Sequence, residues 1–136
     1  MARPREGDDS PRERPRRRRQ RLSRSAEFER VYKEGRSHAS RHLVVYAFPR
    51  GGEEDSPRLG VSVGRKLGGA VERNHVKRLL RDAFWSSVED VSPGHDFVIV
   101  ARPPARELAK SEGEQGVSAA LKHVLAEAGL TRSADP

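Results

Sequence analysis

The spacing of apolar residues predicts a first helix within residues 23–35. Three large apolar side chains recur at the spacing of one helix face, namely Phe28, Val31 and Tyr32. Ser23 has a side-chain oxygen suited to an N-cap, and Gly35 follows the pattern as a stop signal. We therefore expect a short amphipathic helix with one apolar face.

The next part of the chain has the pattern of β-strands. We expect a short extended segment at Ser37–Ser40 and a strand in residues 41–49, which are rich in β-branched and aromatic side chains. Residues 51–57 are polar and contain turn formers, so they predict a loop. In residues 58–67 the alternation predicts a half-buried strand, with one side formed by Leu59, Val61 and Val63.

The C-terminal half contains the strongest helical pattern, at residues 70–88, after the Gly68-Gly69 break. Residues 95–103 are almost continuously apolar, which predicts a central strand covered on both faces. Residues 104–116 fit no pattern clearly, and residues 117–130 predict a closing amphipathic helix. This order favours an α+β fold, a small two-layer sandwich of about four strands in a mixed sheet with three helices.

The two ends of the chain differ from this body in composition. Residues 1–21 contain nine Arg and four acidic residues, and their only apolar side chains are Met1 and Ala2. Such a segment cannot bury enough surface to offset the entropy of ordering, so we expect a disordered Arg-rich tail. We expect one folded domain over residues 22–130 and a second disordered tail over residues 131–136.

Composition narrows the class of protein. The absence of cysteine excludes disulfides and thiolate metal sites. No apolar run approaches the roughly 18 residues of a membrane span, and the basic N-terminus lacks the apolar segment of a signal peptide. We therefore expect a cytoplasmic protein with no membrane partner. We find no catalytic or metal constellation, and His38 and His42, although four residues apart, fall in a segment predicted to be extended.

Positive charge is concentrated in two places, the N-terminal tail and residues 64–81. The second segment has one acidic residue, Glu72, and six cations: Arg65, Lys66, Arg73, Lys77, Arg78 and Arg81. On the predicted helix Arg73, Lys77 and Arg81 form one column beside Asn74 and Arg78. Stacked like charges repel, and a bound polyanion would neutralise them. The helix N-terminus after Gly68-Gly69 suits a phosphate, or alternatively the carboxylate of Glu72.

These residues carry a resemblance to a known family. Residues 64–84 (GRKLGGAVERNHVKRLLRDAF) resemble the signature segment of the bacterial ribonuclease P protein family, which centres on Arg-Asn-Arg, any residue, Lys-Arg. Arg73, Asn74, Lys77 and Arg78 match, whereas His75 stands where the family usually has its second Arg. The likeness extends in matching order from Leu22 through SAEFERVYKEGR, LVVYAF and RLGVSVGRK to DFVIVARPPA.

The resemblance implies both a fold and a function. It implies a four-stranded sheet with a left-handed strand–helix–strand crossover, against the usual right-handed rule. It implies a protein subunit that binds ribonuclease P RNA and the 5′ leader of precursor tRNA, with no protein partner required. The RNA would carry the endonucleolytic chemistry and hold most of the Mg²⁺. The RNA-binding residues would be Arg65, Lys66, Arg73, Asn74, Lys77, Arg78 and Arg81.

Aromatic residues allow two interpretations. Phe28, Tyr32 and Tyr46 either form core or, as the resemblance implies, line a leader groove between the first helix and the sheet, where aromatic faces stack on unpaired bases. Four other aromatic residues are expected in the core or at its rim: Phe48, Phe84, Trp85 and Phe97.

Two other functions remain open from sequence. A ribosomal or ribosome-assembly protein would share the basic tail and the α+β body but would bind rRNA. A metal-dependent nuclease would cleave precursor tRNA without an RNA subunit.

Overall fold

The computed structural model describes residues 20–22, 25–49 and 57–131 and places three helices and five strands there. The helices are α1 (Ser25–Glu34), α2 (Ala70–Ser86) and α3 (Pro104–Glu127). The strands are β1 (Gln20–Arg21), β2 (Arg36–Ala39), β3 (Leu43–Pro49), β4 (Arg58–Val63) and β5 (His95–Ala101). Apart from β1, which the sequence does not indicate, the elements follow the predicted order. The predicted cap Ser23, most of both predicted tails and most of the predicted loop lie outside the described residues.

The strands form one mixed sheet in the order β1-β4-β5-β3-β2. β5 is central, parallel to β4 and antiparallel to β3, so that Val98 lies opposite both Gly60 and Tyr46. Val98 and Ile99 have no exposed surface, which confirms the prediction of a strand covered on both faces. β4 and β5 are joined through α2, the connection for which the resemblance implies a left-handed crossover; its handedness stays a prediction.

The helices pack on opposite faces of the sheet. Phe97 and Ile99 point toward α2 and α3, and together with those helices they form the larger core. Val98, on the opposite face, packs with Leu22 and with Val31 of α1. In addition to the two layers expected from sequence, α1 therefore covers part of the other face.

α3 is longer than the sequence indicates. It begins at Pro104, in the first turn, where proline is tolerated because its missing N–H would have no helical partner. It contains the residues 104–116 that fit no pattern. Gly113 interrupts the helical geometry with φ 59° and ψ −142°, a region open essentially to glycine alone. This kink and the polar residues around it conceal the helix in the sequence.

Backbone pairing is present on both sides of the predicted domain bounds, residues 22 and 130. Gln20–Arg21, which we predicted as the end of the disordered tail, pair in parallel with β4. Leu22 continues this pairing by donating its N–H to the carbonyl of Leu59 at 3.0 Å. At the other end Thr131 forms a bridge with Val91. Gln20, Arg21 and Thr131, which the sequence assigns to the two tails, therefore take part in backbone pairing.

Candidate nucleic-acid interface

α2 is fixed on the sheet by one apolar arc. A single 3₁₀ turn, Arg65–Leu67, connects β4 to this helix. The predicted apolar stripe is buried: Val76, Leu79, Leu80, Ala83 and Phe84. Because these side chains are anchored in the core, the remaining positions of the helix have a fixed orientation.

Seven residues of this region form what we call the basic surface. Two lie in the 3₁₀ turn and five lie on α2 outside the apolar arc: Arg65, Lys66, Arg73, Asn74, Lys77, Arg78 and Arg81. Four of them are exposed, namely Arg65, Lys66, Asn74 and Arg78, whereas Arg73, Lys77 and Arg81 are half-buried. Within the described ranges, none of the six cations forms an ion pair with a carboxylate. The positive charge is therefore available to an external polyanion.

Arg73 lies at the border between the basic surface and the apolar arc. Its Nε is buried and has no hydrogen-bond partner among the residues that the structure describes. An N–H group that has lost water without gaining an acceptor is unfavourable by about 1–3 kcal/mol.

His75, the departure from the family pattern, contacts a neighbouring cation of the surface. Its Nδ1 lies 3.2 Å from Nη2 of Arg78, one helical turn further on. A guanidinium has only donors, so His75 must accept this hydrogen bond with an unprotonated Nδ1. His75 therefore orients Arg78.

The N-terminus of α2 is occupied by the chain's own carboxylate. Glu72 accepts a hydrogen bond from the backbone N–H of Gly69 at 3.0 Å and one from Nη2 of Arg106 at 2.5 Å. The backbone hydrogen bond, and then the guanidinium, hold the pKa of Glu72 below its ordinary value. Of the two uses left open by the sequence, the structure shows the internal one. We therefore no longer place a phosphate at the N-terminus of α2.

Three aromatic side chains that the resemblance places in a leader groove lie together. Tyr32 and Tyr46 meet edge to face with ring centroids 4.9 Å apart, and Phe28 lies 6.4 Å from Tyr32. Phe28 rests directly on Gly60, where a Cβ would come within 2.5 Å of its ring. Tyr32 is 39% exposed. We call Phe28, Tyr32 and Tyr46 the aromatic cluster. The other four aromatic residues are buried or half-buried, as predicted.

α1 is held over the sheet by charged residues that the sequence did not indicate. Arg58 of β4 donates to Glu27 of α1 at 3.0 Å and to the wholly buried Asp96 of β5. Its hydrogen bond to Asp96 is the main cause that raises the pKa of Arg58. Arg30 of α1 lies 5.3 Å above the ring of Phe48, within range of a cation–π interaction.

The largest cavity among those described lies between the β2–β3 turn and α3. It has a volume of 570 Å³, and its lining includes His38, His42, His123 and Glu112. In the described part of the chain, no group of three or more His, Cys, Asp or Glu residues is placed to hold a metal ion. Among the described helices, none combines the length and apolar character needed to span a bilayer.

Comparison with known proteins agrees with this architecture. The family model for ribonuclease P matches residues 17–125. The chain is 42% identical over 109 residues to the ribonuclease P protein component of Shouchella clausii, covering 80% of this chain and 85% of that protein. It is 43% identical over 109 residues to that of Geobacillus thermodenitrificans, covering 80% and 86%.

Solved structures are also similar to the chain. The ribonuclease P protein of Staphylococcus aureus superposes with a TM-score of 0.72 at 36% identity, covering 83% of this chain and 98% of that one. The Thermotoga maritima protein superposes with a TM-score of 0.71 at 32% identity, covering 79% and 96%. Sequence and fold together show that this chain belongs to the ribonuclease P protein family.

Proposed function

We propose that the chain is the protein subunit of ribonuclease P. In this role it binds the catalytic RNA and the 5′ leader of precursor tRNA and promotes endonucleolytic removal of the leader, which generates the mature 5′ end. The RNA carries the cutting chemistry. Family membership supports the assignment, and the features of the basic surface support the choice of RNA as its ligand.

The observation that carries the proposal is the division of α2 into two sides. One side is buried in the core, whereas the cations of the basic surface have no carboxylate partner among the described residues. Like charges spaced four residues apart destabilise a helix unless an anion neutralises them. A nucleic-acid backbone supplies such anions in a regular row.

The aromatic cluster is the proposed contact for the leader. Tyr32 has an exposed ring, and Phe28 and Tyr46 support it from α1 and β3. Stacking of an unpaired base on an aromatic ring contributes about 1–3 kcal/mol and does not depend on sequence. This contact would let one protein act on many precursor tRNAs.

The proposed mechanism is electrostatic and positional. Cations placed between two RNA molecules reduce their mutual repulsion, so the complex needs less free Mg²⁺ to bind its substrate. We propose that the RNA holds most of this Mg²⁺, and we assign no protein ligand to it. We place this activity in the cytoplasm and require no protein partner.

Reconstitution tests the proposal. The protein is combined with a bacterial ribonuclease P RNA and precursor tRNA at low Mg²⁺, and the rate of 5′ maturation is measured. We expect the wild-type protein to stimulate maturation and the triple variant Arg73→Gln, Lys77→Gln, Arg81→Gln to lose the stimulation.

The matched control removes three exposed cations elsewhere: Lys33→Gln, Arg36→Gln and Lys122→Gln. It should retain the stimulation, because its net charge changes equally while the basic surface stays intact. Equal loss in both triple variants would contradict a localised surface. Cleavage of precursor tRNA by the protein alone would instead indicate a nuclease.

A further inference from the structure

Three strands end side by side at one end of the sheet. Leu43, the first residue of β3, lies opposite Ala101, the last residue of β5, and Ala101 lies opposite Val63, the last residue of β4. Neighbouring strands are about 4.8 Å apart, so these three chain ends lie within about 10 Å of one another. Residues that directly flank them are brought together by the topology.

Four cations flank these strand ends. Arg41 precedes β3, Arg102 follows β5 directly, and Arg65 and Lys66 follow β4. All four are exposed. Within the described residues none of them forms an ion pair with a carboxylate. Two of the four, Arg65 and Lys66, belong to the basic surface, whereas Arg41 and Arg102 have no role in the function proposed above.

The turn that carries Arg41 is held in place by Arg102. The guanidinium of Arg102 donates to the carbonyl of Ser40 at 2.7 Å, and its backbone N–H donates to the carbonyl of His42 at 2.8 Å. The hydroxyl of Ser40 accepts the N–H of Leu43 at 3.1 Å. These hydrogen bonds fix the β2–β3 turn against the end of β5, so the backbone at Arg41 has a defined position relative to Arg102.

The carboxylates near this end of the sheet do not neutralise the four cations. Glu72 is already bound by Arg106. Glu112 lines the same cavity as Arg41, but no ion pair within 4.0 Å joins them. The end of the sheet therefore presents an excess of positive charge.

This end also adjoins the aromatic cluster. Tyr46 is three residues, or about 10 Å, from Leu43 along β3. Val44, next to Leu43 but on the same face as Tyr46, lies opposite Val100, and both valines are half-buried. The half-buried Val44 and Val100 therefore lie between the aromatic cluster and the end of the sheet that the four cations flank.

We infer that Arg41 and Arg102 form, with Arg65 and Lys66, a phosphate-binding surface for an RNA backbone at this end of the sheet. The inference rests on the proposed function and extends it to two residues outside the signature segment. The phosphates come either from the leader or from the catalytic RNA, which present the same chemistry. The surface joins the basic surface of α2 to the face of the sheet that carries the aromatic cluster.

The test uses the full chain in three variants: Arg41→Gln, Arg102→Gln and Arg102→Lys. Lys122→Gln is the matched control. Lys122 is exposed and lies near Val91 and Thr131. Val91 precedes the first residue of β5, whereas Arg102 follows the last one. Affinity is measured over a salt series in two arms. One arm is the protein with catalytic RNA alone, and the other is the holoenzyme with precursor tRNA compared with mature tRNA.

We expect Arg41→Gln and Arg102→Gln each to reduce the slope of log affinity against log salt by about 0.7–0.9 in one of the arms. Loss confined to precursor tRNA assigns the surface to the leader, and loss in the first arm assigns it to the catalytic RNA. Arg102→Lys should retain the slope because it keeps the charge.

The inference is overturned if the wild-type holoenzyme matures precursor tRNA and both Gln variants keep the wild-type slope of log affinity against log salt in both arms. An equal reduction in Lys122→Gln would also overturn it, because the effect would then follow net charge alone. If the wild-type protein fails to stimulate maturation, the proposed function itself is wrong, and the inference falls with it.

Discussion

Asp96, which has no exposed surface, accepts two hydrogen bonds from the guanidinium of Arg58, at 2.9 Å and 2.8 Å. The two residues lie opposite each other in β4 and β5. Arg58 also binds Glu27 of α1 at 3.0 Å. The position of α1 therefore depends on the charged pair Arg58–Asp96 beneath it. Phe28 and Tyr32 belong to α1, so their positions depend on the same pair.

Removing the charge of Asp96 should destabilise the fold. Asp96→Asn is expected to lower the free energy of unfolding by about 3 kcal/mol, the low end for a broken buried pair, since Arg58 keeps some contact with water. Urea unfolding measures this loss. The control Glu29→Gln breaks the exposed pair with Lys33 and should change stability by less than about 1 kcal/mol. Equal stability of Asp96→Asn and wild type would show that the pair does not anchor α1.

The pKa of Glu72 predicts a dependence of stability on pH. Because folding lowers this pKa from its ordinary value of 4.5, the carboxylate stabilises the fold above about pH 4.5 and loses this effect as the pH falls through the folded-state pKa. Glu72→Gln should therefore be less stable than wild type at neutral pH, and the difference should shrink as the pH falls below 4.5. Unfolding curves at neutral pH and over a series below pH 4.5 measure it. A difference independent of pH would exclude the ionised Glu72 as its source.

A methyl group at Gly60 should disturb the aromatic cluster. In Gly60→Ala the new Cβ would lie 2.5 Å from the ring of Phe28, so the ring must move off the strand. We expect weaker binding of precursor tRNA by the holoenzyme and little change for mature tRNA, measured as dissociation constants. Gly64→Ala is the control, since its Cβ would meet nothing within 4 Å. Undiminished leader-dependent affinity in Gly60→Ala would argue against Phe28 as a leader contact.

The sequence predicts those features that depend on local periodicity. The apolar arc of α2 and the cations beside it follow from residues three and four apart, and the structure confirms both. The Arg58–Asp96 and Glu72–Arg106 pairs join residues 38 and 34 positions apart, and no local pattern indicates them. Arg106 was missed for a further reason, because it lies in the polar segment before Gly113 where the helical period is interrupted.

The salt dependence of binding to ribonuclease P RNA tests the central claim most directly. Wild type is compared with the triple variant Arg73→Gln, Lys77→Gln, Arg81→Gln and with the control triple Lys33→Gln, Arg36→Gln, Lys122→Gln, after unfolding curves show that all three are folded. We predict that the slope of log affinity against log salt is smaller by about two to three in the first triple variant and unchanged in the control. An equal slope in wild type and the first triple variant would contradict the assignment of this face of α2 to RNA.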